Sequence, residues 1–239
     1  MLRTRAVGLY GWRTMLYGTL LPAPRIGQQL GDVLRRAAGE GHEVGLHAWD
    51  HVRWQDRIDR LPEKILHDDY AQAAEAFEAI VGRPPAATAA PAWITSDTAL
   101  GLAERLGFKY ASDTRGSGPF RPIVGGKPSS LPQVPITLPT LDEALGREGA
   151  TAEMFSKQIL ESLREDASNV LCVHAESEGR SYLPMLESLL DRALRLGWEI
   201  VPLEELLARQ TGPLPGLPVT RGLVPGRAGQ VSIQGQPPP

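Results

Sequence analysis

The chain has 239 residues, 25 Lys and Arg against 28 Asp and Glu, and a formal net charge of -3. That length suits one substantial soluble core, and the interspersed acids and bases exclude a basic nucleic-acid surface. Cys172 is the single cysteine, which excludes an internal disulfide, and its apolar run predicts packing in a buried strand rather than nucleophilic chemistry.

No apolar run is long enough to span a bilayer, and Arg3, Arg5 and Arg13 interrupt any signal-peptide pattern, so a cytoplasmic location is expected. Residues 7–21 combine Tyr10, Trp12, Tyr17, leucines and cations, which suits either a peripheral contact with a membrane interface or packing on the core. Residues 26–40 read as a helix with Ile26, Leu30, Val33 and Leu34 on one stripe and Gly41 as its stop. Residues 42–47 then read as a strand. The longest helical pattern covers 61–81, with Pro62 in its first turn and Gly82 at its end. A short strand is predicted at 86–90, a helix capped by Thr95, Ser96 and Asp97 runs to Leu106, and Gly107 precedes a strand at 108–111. Prolines crowd residues 116–140 around a short strand near Gln133. Helix, strand, helix, strand and helix follow at 151–166, 170–174, 184–196, 198–201 and 203–209. From 211 to 239 the Gly- and Pro-rich composition predicts a poorly ordered tail after a domain of residues 1–210.

This alternation implies a parallel sheet covered by helices, either doubly wound or closed into a barrel, with functional side chains at the C-terminal ends of strands. His47, Asp113 and His174 each stand at or just after such an end and are expected to converge. His47 and His51 lie four apart, so strand followed by helical turn turns both imidazoles the same way, either onto one divalent ion such as zinc or simply toward solvent.

The segment from Gly41 to His51, the run Ser112-Asp113-Thr114-Arg115-Gly116, the run Pro119-Phe120-Arg121-Pro122 and Val173-His174-Ala175-Glu176 resemble the polysaccharide deacetylase (NodB-homology) family. Leu9-Tyr10-Gly11-Trp12, the run 135–140 and Glu178-Gly179 add to the likeness, which leans toward the branch that deformylates lipid-linked formamido-arabinose. The resemblance implies a distorted (β/α) barrel, here lacking its first strand. It implies that His47 and His51 hold a divalent metal, expected to be zinc, that His174 is the general acid, and that Asp113 supports the site by orientation or hydrogen bonding. Trp93, Arg115 and Glu176 are the expected substrate-binding residues, although a large aromatic such as Trp93 is more often half-buried packing. The implied reaction is removal of an N-formyl group from a lipid-linked amino sugar, in lipid A modification and polymyxin resistance; a non-catalytic sugar-binding remnant and a deacetylase of another N-acylated sugar are the alternatives.

One departure stands out. The family's acidic strand motif, source of a base and a third metal ligand, has no counterpart, and no aspartate precedes Asp32. The chain therefore reads as N-terminally truncated, with weak metal binding and little activity expected; Glu43, Asp50 and Glu176 are the substitute carboxylates to consider.

Overall fold

Apolar spacing along one helix explains where the main core forms. In the computed structural model, which describes residues 16–17, 20–22, 25–147 and 149–237, Leu66, Asp69, Tyr70, Ala73 and Phe77 are the buried residues of the helix Glu63–Val81. Those positions recur at three and four residues, so they form one stripe. Gly82 ends the helix in the left-handed region at φ 80°, which favours glycine.

In chain order the elements are α1 (Ile26–Gln29), α2 (Gly31–Gly39), α3 (His51–Arg57), α4 (Glu63–Val81), β1 (Ala87–Thr88), α5 (Asp97–Arg105), β2 (Tyr110–Ala111), β3 (Arg121–Val124) and β4 (Lys127–Pro128). After them come α6 (Leu141–Leu145), α7 (Ala152–Ser162), α8 (Leu183–Arg195), α9 (Leu203–Ala208), β5 (Gly216–Leu217), β6 (Val219–Leu223) and β7 (Gln230–Gln234). Short 3-10 turns sit at Ile58–Arg60 and Pro91–Trp93. Among the described residues no helix is long and apolar enough to cross a membrane. Most of the aromatic segment 7–21 lies outside the described residues.

The chain divides into two units. The larger contains residues 26–136, 202–222 and 230–239. Its parallel pairing runs in sequence order: Leu46 bridges Thr88, β1 pairs with β2, and Ala111 bridges Gln133. Helices α3, α4 and α5 cover this row through a core of Trp54, Ile58, Leu66, Tyr70, Phe77, Leu102 and Leu131. Strand, helix and neighbouring parallel strand is the repeating unit of a (β/α) barrel. The smaller unit contains the described residues of 137–201 and 223–229 together with those up to Arg25. There α6, α7 and α8 pack on one another through Leu138, Leu141, Ala144, Phe155, Ile159 and Leu189. Thr140 and Glu143 form a reciprocal capping box at the start of α6, and the Thr151 side chain accepts from the Met154 amide at the start of α7.

Several expectations are corrected. The stripe of Ile26, Leu30 and Val33 is exposed and Leu34 half-buried, because α1 and α2 approach α4 over glycines: a Cβ on Gly27 would stand 2.9 Å from the tip of Ile80, and one on Gly31 3.5 Å from the same side chain. The run 42–47 pairs only at Leu46. Residues 170–174 form no strand; the Val170 carbonyl accepts from the amides of both Thr137 and Leu138, while the Thr137 hydroxyl takes the Val170 amide, so a side chain replaces the ladder. Cys172 is accordingly half-buried in irregular chain. Residues 198–201 also form no strand, since the Trp198 amide donates to Ala193 and closes the end of α8.

The largest correction concerns residues 211–239, which hold three strands instead of a tail. β5 pairs parallel with β3, and β6 pairs with β7. Val231 and Ser232 are only 1% exposed, and the backbone of Arg115 donates to Ser232 and accepts from Gln234. Composition predicted disorder because few residues there are apolar; backbone pairing to a ready strand edge supplies the order instead.

Candidate metal and substrate site

Leu46 is fixed by exchanging hydrogen bonds with β1, its amide to the Ala87 carbonyl and its carbonyl from the Ala89 amide, each at 2.9 Å. Gly45 permits this approach, because a Cβ there would stand 2.8 Å from the Ala87 oxygen. The chain then turns through Ala48, held at φ 58°, and Asp50 caps α3 by accepting from the Arg53 amide at 2.9 Å. His47 thus leaves the end of a paired segment and His51 opens a helix. Their ring centroids are 5.2 Å apart at an interplanar angle of 62°.

The His47 ring is oriented by its Nδ1, which lies 2.9 Å from the Ala89 carbonyl. A carbonyl only accepts, so Nδ1 carries the proton and the lone pair sits on Nε2. Histidine ligands are commonly prepared in this way, by donating one ring N–H to a carbonyl while the other nitrogen faces the ion. An imidazole pair at this spacing fits a divalent cation of borderline softness. Among the described residues, no group of three or more His, Cys, Asp and Glu is placed to share an ion. Neither Glu43 nor Asp50 joins the pair: Glu43 accepts from the Glu204 amide, and Asp50 serves as a cap.

Asp113 is 2% exposed and sits in a reciprocal pair with Gln133, whose side-chain oxygen accepts from the Asp113 amide at 2.9 Å and whose Nε2 donates to Oδ2 at 3.0 Å. The Ala90 amide is turned toward the same buried carboxylate. Burial pushes the carboxyl up to about 6, against the opposing pull of Gln133 and Ala90. An acid whose folded pKa lies above its unfolded value binds the extra proton in the folded state. Its contribution to stability is therefore greatest below about pH 4 and falls as pH rises to about 6, by roughly 3 kcal/mol in all. Asp113→Asn is expected to remove this slope between pH 4 and 6 in denaturant titrations; an unchanged slope would mean that another group carries it.

Trp93 and Arg115 meet, the guanidinium carbon lying 5.1 Å from the ring centroid. Both Ala92 and Trp93 have positive φ, 55° and 53°, a costly pair of conformations for residues other than glycine. The turn is held from outside: Trp54 donates its indole N–H to the Ile94 carbonyl at 2.8 Å, and Arg221 donates to the Thr95 carbonyl at 2.9 Å. Both side chains are buried, Trp93 6% and Arg115 8% exposed, so the ring and cation pack on each other inside the same unit as the histidine pair.

His174 and Glu176 belong to the smaller unit. His174 opens a tight turn in which its carbonyl accepts from Ser177 and Glu178, and its amide donates to the buried Glu178 carboxylate at 3.1 Å. Gly179 is required there, since a Cβ would stand 2.5 Å from the Ala175 oxygen. Glu176 is exposed on this turn. Sequence reasoning missed Gln133, Glu178 and Asp69 as site partners. Asp69 had a signal: it is the one charged residue in the otherwise apolar or aromatic buried stripe of α4.

A polysaccharide deacetylase model matches residues 19–111. A probable 4-deoxy-4-formamido-L-arabinose-phosphoundecaprenol deformylase, ArnD, from Shewanella sediminis (strain HAW-EB3) is 36% identical over 234 residues, which cover 98% of this chain and 75% of that one. The chain belongs to the polysaccharide deacetylase family. A second relative of this deacetylase, the probable ArnD deformylase of Wigglesworthia glossinidia brevipalpis, is 31% identical over 98% of this chain and 82% of its own. Among solved structures, a polysaccharide deacetylase described as putative, from Mycobacterium smegmatis, superposes with a TM-score of 0.63 at 18% identity, over 83% of this chain and 73% of that one. That likeness supports the deacetylase (β/α) barrel fold drawn from the parallel row of Leu46, β1, β2 and Gln133.

Proposed function

We propose that the chain is a metal-dependent amide hydrolase that removes the N-formyl group from undecaprenyl-phosphate-linked 4-deoxy-4-formamido-L-arabinose, peripherally on the cytosolic face of the inner membrane, in the lipid A modification behind polymyxin resistance. The observation that carries this reading is the His47 ring locked by Ala89 beside His51, in a chain 36% identical to a named deformylase. The reaction takes a formamide and water to an ammonium and formate. His47 and His51 would hold a divalent ion, zinc being the expected one, which when bound would supply Lewis acidity for the formyl group. His47 contributes Nε2 and keeps its orientation through the Nδ1 proton. Asp113, buried and fixed by Gln133, orients groups at the site. Trp93 and Arg115 serve the substrate side of the site through the small part of each that stays exposed, 6% and 8%. His174, in the general-acid role that the family likeness implies, gives its proton to the departing amine, and Glu176 is a substrate-binding residue.

The test is formate release from the synthetic lipid-linked formamido sugar with zinc or cobalt added. Turnover that is lost on His174→Ala and His47→Ala supports the reading. Release of acetate from the N-acetyl analogue instead would redirect it to a deacetylase, and sugar binding with neither product would make the chain a binding protein.

A further inference from the structure

Asp69 lies in the centre of α4, 2% exposed, in a stripe where every other buried residue is apolar or aromatic. A carboxylate is costly to bury unless its charge is matched. Here it is matched by one short stretch of chain. Oδ1 accepts from the Trp49 amide at 2.7 Å, Oδ2 accepts from the Asp50 amide at 3.2 Å, and Arg53 donates to Oδ2 at 3.0 Å. All three donors fall between His47 and the first turns of the helix that His51 opens. Two consecutive backbone amides aimed at one carboxylate specify a tight turn, and Ala48 in the left-handed region completes it.

We propose that Asp69 is the positioning residue of the metal-binding pair, setting through the Trp49 and Asp50 amides the spacing at which His47 and His51 share one ion. The inference rests on the metal reading above and deepens it. His47 is anchored on one side by the Ala89 carbonyl, and Asp69 with the Asp50 cap ties the backbone of the turn that carries His51 back toward it. A role confined to stability would act on unfolding alone, whereas a positioning role acts on metal affinity in protein that remains folded.

Asp69→Asn keeps the shape but can accept only through one oxygen, so its amide nitrogen faces the donors of Asp50 and Arg53. Zinc titrated into the full chain by competition with a chromogenic chelator is expected to bind about tenfold more weakly in the variant, in the range of losses seen for groups that orient ligands. Asp68→Asn, one residue away and outside this network, should leave affinity unchanged. If the unmodified chain binds no zinc, the metal reading falls and this inference with it. If it binds zinc and folded Asp69→Asn binds within about twofold of it, only the Asp69 assignment is overturned. Should Asp69→Asn fail to fold, amide exchange in the unmodified chain decides: zinc is expected to slow exchange at Trp49 and Asp50, and unchanged rates at both would sink the proposal.

Discussion

His47→Ala is expected to weaken divalent-metal binding more than a hundredfold while leaving the folded chain intact. Groups that merely orient a metal-ligating histidine are worth roughly ten- to a hundredfold in affinity, so loss of a ligand itself should exceed that. The fold should tolerate the change, because the ring is exposed and the backbone bonds that pair Leu46 with β1 stay in place. Surface substitutions of this kind usually stay within about 0.5 kcal/mol. Thermal unfolding separates the two effects. A ligand present at a hundred times its dissociation constant stabilises by about 2.7 kcal/mol, so zinc should raise the melting temperature of the parent and not of the variant. An equal rise in both would show that the ion binds elsewhere, and a chelator should abolish the rise in the parent alone.

Deleting residues 211–239 is expected to unfold the larger unit or cut its stability by several kcal/mol. The deletion removes Leu217 and Val231 from the core, each worth about 1.5–3 kcal/mol. It also strips the Arg115 amide and carbonyl of Ser232 and Gln234, the Arg121 amide of Pro215 and the Thr95 amide of the Ser232 hydroxyl. A buried backbone group left without a partner costs about 1–3 kcal/mol, and a domain holds only about 5–15 kcal/mol in total. Circular dichroism melts of the shortened chain would decide: a melting temperature within a degree or two of the parent would mean that the segment behaves as the tail that its composition suggests.

What the sequence disclosed follows from which interactions are local. Helix α4 was legible because its apolar stripe and Gly82 stop lie within twenty residues, and α5 because Ser96 caps it directly. The histidine pair was legible for the same reason, both members lying within one turn of chain. The strands at 170–174 and 198–201 were misread because apolar content cannot reveal that Thr137 or Ala193 claims the backbone amides. The final strands were invisible because β5 and β7 owe their order to β3 and Arg115, partners far away in sequence. In the site, Gln133 was seen only as a strand residue, since nothing local announces that its amide is matched to Asp113. Asp69 could have been noticed as the acid in an apolar stripe, though not the turn it serves.

The distances along the chain that separate these partners bear on how the protein reaches its folded state. His47 is oriented by a residue 42 positions later, and Ser117, just beyond Arg115, is tied to Gln234, 117 positions away. Closing such loops costs entropy before any contact repays it, and chains dominated by distant pairings fold slowly. Helix α4, all local, is suited to form early and to present Asp69 as a template on which the histidine turn then settles. The contact between Trp93 and Arg115, waiting on β7, belongs to the last steps. A partly folded chain would thus have its histidine turn in place before the contact between Trp93 and Arg115 closes.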